Sequence, residues 1–245
     1  MSGWLEGRVL QNRQWTGSLF SLRVAAPRLP FIAGQFVRIA LDVEGERIAR
    51  PFSFVNAPDD PVLEFYGVVV PEGPLSPRLA RLKAGDALHV ADNPVGWLIV
   101  SEVPPAEDLW LVATGTGIAP FLSILRTEAP WRRYRRVILV HAARRASELA
   151  YGDAIRELQS ARERLRYVSF VSREAHPESL AGRIPAAIRD GRLEALAGPI
   201  SSERSQFMLC GNPQMLRDVA AELAARGLKK HRRRSPGQIT VESFW

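Results

Sequence analysis

The chain has 245 residues, 46% hydrophobic and 24% charged, with no low-complexity tract, heptad array or internal repeat, which excludes a disordered or fibrous protein and allows two globular domains. Nowhere does an apolar run approach the roughly 18 residues of a spanning helix, and the opening MSGWLEGRVLQNRQW lacks the apolar middle of a secretory signal, so a cytoplasmic protein without a membrane role is expected. A single cysteine, Cys210, excludes an intrachain disulfide and an iron–sulfur cluster, and the four histidines show no metal-ligand spacing; redox chemistry would need an organic cofactor or a partner's metal.

The net charge of +7 is unevenly placed. Residues 1–105 hold 10 Lys+Arg against 11 Asp+Glu, and the remainder 23 against 15, a balance of −1 and +8. Such a basic half suits phosphate-bearing ligands or an acidic protein partner. Nucleic acid fits the charge alone, but no DNA- or RNA-reading motif accompanies it.

In chain order, GRVL, LFSLRVAA, GQFVRIALDV, RIARPFSFV, VLEFYGVVV and DALHV are short β-like runs separated by turn clusters such as APRLP, NAPDDP and PEGPLSP. They predict an antiparallel sandwich or barrel over residues 1–100, with Pro27, Pro30, Pro58, Pro61, Pro71, Pro74 and Pro77 in the gaps, where a missing donor harms no ladder. Near SEVPPAED (101–108) the pattern changes, and residues 101–245 form the second expected domain. LWLVAT, VILVHA, YVSFVS and QFMLCG are apolar throughout, and IAPFLSILR, ELAYGDAIRELQSARE and NPQMLRDVAAELAARG follow three of them as helices, so an α/β fold with a covered parallel sheet is predicted.

Ligands of such a sheet bind at the carboxyl ends of its strands. There GTGIAP places Gly115 and Gly117 before a helix starting near Pro120, which suits an anion or simply a tight turn; it is neither a Walker loop nor a complete G-x-G-x-x-G fingerprint. HAARR supplies Arg144 and Arg145, VSRE supplies Ser172 and Arg173, and GRIP supplies Arg183; each arginine alone reads as solvated surface, but together they suit a phosphate. CGNPQM lets the backbone approach closely at Gly211 and gives Asn212 as a helix cap, while Cys210 is either a small core residue or a functional one at a strand tip. KKHRRR (229–234) is either a solvated loop or a dock for an acidic partner.

RPFS (50–53), GPLS (73–76), GTGIAP, HAARR, VSRE, CGNPQM and the terminal VESFW occur in the order found in ferredoxin–NADP reductases, and the set most closely resembles the bacterial flavodoxin/ferredoxin–NADP reductases that end in tryptophan. The resemblance spans nearly the whole chain. It implies an N-terminal antiparallel β-barrel holding FAD and a C-terminal doubly wound, five-stranded parallel sheet holding NADP(H). It further implies that Arg50 pairs with the flavin pyrophosphate, that Pro51 is a further cofactor-binding residue, that Phe52 covers one face of the isoalloxazine, and that Ser53 sits near its N5 edge. Tyr66, Gly67 and Val68 would line the flavin, Pro74, Leu75 and Ser76 would add pyrophosphate contacts, and Thr116 would lie where the cofactors meet. Arg144, Arg173 and Arg183, with Ser172, would receive the 2′-phosphate, Arg145 would be a further cofactor-binding residue, and Cys210, Gly211 and Asn212 would lie beside the nicotinamide. Glu242 takes the place of the family's terminal-segment glutamate, Phe244 the second flavin face and Trp245 the adenine. Ser53, Cys210 and Glu242 are thus the expected catalytic residues, and no metal is expected.

Two family tyrosines are replaced here, by Phe52 and Phe244, which keeps ring stacking but removes two hydroxyls. The implied activity is an oxidoreductase moving hydride from NADP(H) and single electrons to ferredoxin or flavodoxin, most simply as a monomer. A reductase component for an oxygenase, a free-flavin or quinone reductase, a flavin-binding sensor and a basic nucleic-acid module are the alternatives.

Overall fold

The structure is a computed structural model and describes residues 3–243, so the roles expected of Phe244 and Trp245 fall outside the described residues. Two compact units are present: one built from the chain up to Ile99 together with Ala119–Thr127, the other from Val100–Ile118 and the chain from Glu128 onward.

The first unit contains β1 (Trp4–Gln14), β2 (Leu19–Ala25), β3 (Phe36–Val43), β4 (Glu46–Ser53), β5 (Val62–Val68) and β6 (Ala87–Ala91), with helix α1 (Ser76–Leu79) between β5 and β6. Its strands form one antiparallel half-barrel in the order β4-β3-β6-β1-β2-β5. Period-two patterning fixes the inner face: in β3, Val37 and Ile39 are buried while Arg38 is exposed. A two-residue turn at Glu44 and Gly45, with φ of 52° and 85°, joins β3 to β4 through the left-handed conformations that such hairpins need. The sheet curls until Phe54 bridges Phe65 and Val55 N donates to Glu64 O at 2.8 Å, bringing the end of β4 to β5. Phe31 and Phe54 stack inside, 3.8 Å between ring centroids.

Helix α2 (Ala119–Leu125) follows a strand of the other unit in sequence, so strand–helix alternation alone groups it with the parallel sheet. In the structure it belongs to the barrel unit, where Ser123 Oγ donates to Asn56 O at 2.7 Å and Arg126 Nη1 donates to Val55 O at 2.8 Å.

The second unit holds β7 (Asp108–Thr114), β8 (Arg136–Ala143), β9 (Leu165–Val171), β10 (Ser179–Ala181), β11 (Ser205–Gly211) and β12 (Ile239–Ser243). All pair in parallel, in the order β10-β9-β8-β7-β11-β12. This is one strand more than the five implied by the resemblance; β10 is a three-residue edge strand, too short to stand out as an apolar run. Helices α3 (Ala129–Arg133), α4 (Gly152–Ala161), α5 (Ile184–Arg189), α6 (Arg192–Ala197) and α7 (Pro213–Ala225) complete the unit. Trp110, Val112, Ile138, Val140, Phe170, Phe207 and Leu209 are fully buried, with Ile188 of α5 and Val219 and Leu223 of α7 in the same core. Asn212 caps α7 as its sequence suggests, Oδ1 accepting from Gln214 N at 2.9 Å and Met215 N at 3.3 Å. Among the described residues no helix is long and apolar enough to cross a membrane.

At the amino end of the sheet Asp108 is almost fully buried and takes a two-pronged bond from Arg136, Nε to Oδ1 at 2.8 Å and Nη2 to Oδ2 at 2.5 Å. A Cβ at Gly198 would fall 2.2 Å from Arg136 Nη1, so glycine there makes room for the guanidinium. Removing the buried charge leaves a cation hemmed in without its partner. Asp108→Asn is expected to lower the urea midpoint of unfolding by an amount equivalent to about 2–3 kcal/mol, less than for a wholly buried pair because Arg136 keeps some solvent contact.

Candidate cofactor and nucleotide sites

In the barrel unit the expected flavin residues gather around the end of β4. Arg50 is exposed, with Nη1 donating to Ala49 O at 2.7 Å, and no carboxylate pairs with it among the described residues. Pro51 is exposed beside it, Phe52 is half-buried and Ser53 is buried. The Phe52 ring lies against β5 at Gly67, where a Cβ would come within 2.9 Å of Phe52 Cε1 and 2.8 Å of Phe20 Cζ. Tyr66 is buried on the same strand and Val68 half-buried at its end. The Ser53 hydroxyl is buried and has no hydrogen-bond partner among the described residues.

The GPLS segment is partly committed to its own fold. Ser76 Oγ accepts from Val70 N at 2.9 Å, Pro74 O accepts from Arg78 Nη1 at 2.7 Å, and the Leu75 side chain is in the core, which leaves its backbone as the part that could meet a ligand. An unpaired guanidinium, a flat half-buried ring and an orphaned buried hydroxyl supply an anion fork, a stacking face and a hydrogen bond. These are the groups a flavin dinucleotide requires, so the residues present fit FAD.

In the second unit the register of the parallel sheet arranges the other candidates along one rim. Ala143 of β8 pairs with Val171 of β9, which pairs with Ala181 of β10. Arg144, then Ser172 and Arg173, then Arg183 therefore leave the carboxyl ends of three adjacent strands. The bonding continues past the strands: Ser172 N donates to Ala143 O at 3.2 Å, Arg173 N to Arg144 O at 2.9 Å and Gly182 N to Val171 O at 3.0 Å. Arg144, Arg173 and Arg183 are exposed and carry no carboxylate partner among the described residues, whereas Arg145 Nη1 is 3.6 Å from Glu174 Oε2.

Across the rim, on β7, β11 and β12, the backbones approach closely. A Cβ at Gly117 would stand 2.4 Å from Cys210 O, and one at Gly211, whose φ is +131°, would stand 2.4 Å from Thr114 Oγ1. Thr114 Oγ1 instead accepts from Asn212 N at 3.0 Å. Residues 115–118 form a short 3-10 turn containing the buried Thr116. Under it His141 is fully buried, and its Nε2 donates to Gly115 O at 3.1 Å. Burial pulls the imidazole down to about 4, keeping it neutral. Sequence reading took the arginines of HAARR and passed over this histidine, although one polar residue in an otherwise apolar strand was the available signal; Thr114 was missed as well.

Cys210 pairs with Glu242 across β11 and β12. Burial, with the neighbouring carboxyl adding to it, holds the thiol well above its ordinary value, which disfavours the thiolate. Burial also raises Glu242 to about 7, and its Oε1 has no hydrogen-bond partner among the described residues. From β10 to β11 is four strand spacings, about 19 Å at ~4.8 Å each, which is room for an extended dinucleotide between the arginines and Cys210.

An antiparallel half-barrel with flavin-fitting groups and a parallel sheet with a phosphate-fitting rim define a two-domain flavin and nicotinamide oxidoreductase. Residues 111–221 match the oxidoreductase NAD-binding domain family. Over 100% of both chains the sequence is 49% identical to the flavodoxin/ferredoxin–NADP reductases of Shigella flexneri and Escherichia coli strain K12. The fold superposes on a Neisseria gonorrhoeae ferredoxin NADP+ reductase with bound FAD and NADP at a TM-score of 0.94, with 33% identity over 99% of each chain. The chain belongs to the flavodoxin/ferredoxin–NADP reductase family.

The raised Glu242 has a definite consequence for stability. Between pH 4.5 and about 7 the folded chain keeps a proton that the unfolded chain releases, so this group's contribution falls as pH rises through that window and is level above it. Relative to the parent, Glu242→Gln is expected to gain stability progressively from pH 4.5 to 7, by at most about 3 kcal/mol, in urea denaturation at stepped pH.

Proposed function

We propose that the protein exchanges hydride with NADP(H) and single electrons with ferredoxin or flavodoxin through FAD. The observation that carries this reading is the rim itself: arginines on three neighbouring strand ends, without a carboxylate partner among the described residues, with Cys210, Gly211 and Glu242 across from them on the strands beyond β7. The names of the relatives and the ligands in the Neisseria gonorrhoeae structure support it.

FAD, when bound, supplies the conversion between two-electron and one-electron transfer. This chain's residues bind and orient. Arg50 holds the pyrophosphate, aided by the backbone of Pro74, Leu75 and Ser76; Phe52 covers one ring face along Tyr66, Gly67 and Val68; and Ser53 offers its buried hydroxyl to the ring edge. Arg144, Arg173 and Arg183, with Ser172, take the 2′-phosphate, while Thr116 and Cys210–Asn212 bound the nicotinamide. Arg145 is drawn toward Glu174 and so contributes charge more than contact. Glu242, whose carboxyl burial raises to about 7, is partly protonated near neutrality and in that form can donate a hydrogen bond to a carboxamide. Phe244 and Trp245 are assigned to flavin stacking by family resemblance alone.

The basic run also has a role in this reading. Lys230 pairs with Ile239, and Arg232 and Ser235 exchange backbone bonds of 3.0 and 2.9 Å, so Arg233 and Arg234 occupy the tip of a tight turn rather than a loose loop. Arg233 Nε is 3.2 Å from Glu102 Oε2, and Arg232 and Arg234 are exposed. We assign this turn to steering an acidic electron carrier, and the protein to the cytoplasm as a monomer.

Two measurements test the reading. Arg173→Glu should raise KM for NADPH roughly tenfold or more while changing KM for NADH little, because one charge-assisted contact contributes on the order of 1.5–3 kcal/mol; equal losses would mean the arginine does not read the phosphate. Stopped-flow electron transfer to flavodoxin should slow as ionic strength rises from 0.01 to 0.5 M, less so in Arg232→Ala/Arg234→Ala, if the basic turn steers the encounter.

A further inference from the structure

Two carboxylates stand beside the proposed phosphate rim, where Coulomb's law alone makes them unfavourable. Their contacts explain their placement. Glu148 Oε2 accepts from Arg144 N at 2.9 Å and from Arg145 N at 3.4 Å, and Glu174 Oε1 accepts from Ala146 N at 2.8 Å. Three consecutive amides of the loop after β8, a run that could otherwise cradle an anion, are thereby engaged by the chain's own carboxylates. Arginine side chains, rather than backbone, remain to receive the phosphate.

Glu174 directly follows Arg173, and this adjacency ties two loops together. Arg173 N donates to Arg144 O at 2.9 Å in one direction, and Ala146 N donates to Glu174 Oε1 at 2.8 Å in the other. Bonds running both ways between the loops fix the roots of the Arg144 and Arg173 side chains relative to each other. Glu174 Oε2 also draws Arg145 aside, at 3.6 Å from its Nη1. A guanidinium pair set at a fixed spacing loses less freedom when it closes on a phosphate.

Resting on the phosphate reading given above, we infer that Glu174 is a positioning residue that sets the preference for a 2′-phosphorylated nucleotide by clamping the loop after β8 to the loop after β9, while Glu148 braces the loop after β8 from within. Glu174 acts through Arg144 and Arg173 and need not touch the ligand. As bare charges on an exposed surface these carboxylates would change affinity less than about threefold at physiological salt, in the unfavourable direction. The clamp works in the opposite sense, so the two accounts are separable.

The test is calorimetric titration of the FAD-loaded protein with 2′,5′-ADP and, separately, with 5′-AMP. Glu174→Met keeps the bulk and removes the acceptor; it is expected to weaken 2′,5′-ADP roughly tenfold and 5′-AMP less than twofold. Glu174→Gln returns an acceptor without the charge and is expected to recover most of that loss. Tighter 2′,5′-ADP binding in both variants would show the carboxylate acting only as a repulsive charge, and equal weakening of both ligands would show general damage to the loop; either overturns the inference. Arg173→Ala separates the two levels. If it weakens 2′,5′-ADP while Glu174→Met does not, the clamp fails and the phosphate reading stands; if it too leaves 2′,5′-ADP unchanged, the phosphate reading fails first.

Discussion

Hydrogen-bond register between parallel strands is the constraint on which the nucleotide rim depends. Side chains alternate across a strand, so slipping one strand by a single residue would carry Glu242 away from Cys210 and set Arg173 out of line with Arg144. The register is held by side chains far from any chemistry. Trp110, Ile138, Phe170 and Phe207 are buried on strands covered on both faces, where a slip would expose apolar surface and break the core.

Polar groups in the second unit are buried at an energetic disadvantage that the apolar core must offset. His141 is neutral beneath the 3-10 turn, and Glu242 keeps one carboxyl oxygen without a hydrogen-bond partner among the described residues. Asp108, at the opposite end of the same sheet, is buried too but fully engaged by Arg136.

Much of this was readable in the sequence because local patterns there agree with the fold. The change from alternating to continuous apolar runs is visible in the sequence, as is the position of Gly115, Gly211 and the arginines shortly after such runs. What stayed hidden depends on contacts distant in sequence. Three residues of β10 carry no periodicity, the grouping of α2 with the barrel rests on bonds to Val55 and Asn56, and the duty of His141 is to a carbonyl 26 residues earlier. The contacts of Glu148 and Glu174 are not legible in the sequence, because backbone amides, their partners, are invisible to a reading of side-chain types.

The assignment of Ala119–Thr127 to the barrel unit means that the polypeptide passes from one unit to the other three times, after Ile99, after Ile118 and after Thr127. A protease nicking the SEVPPAED stretch would therefore not free an intact barrel, since the nine residues that belong with it would travel on the other fragment. Inheritance follows the same thread: recombination at that seam would deliver a barrel lacking its helix, so the two units are best exchanged between genes as a pair.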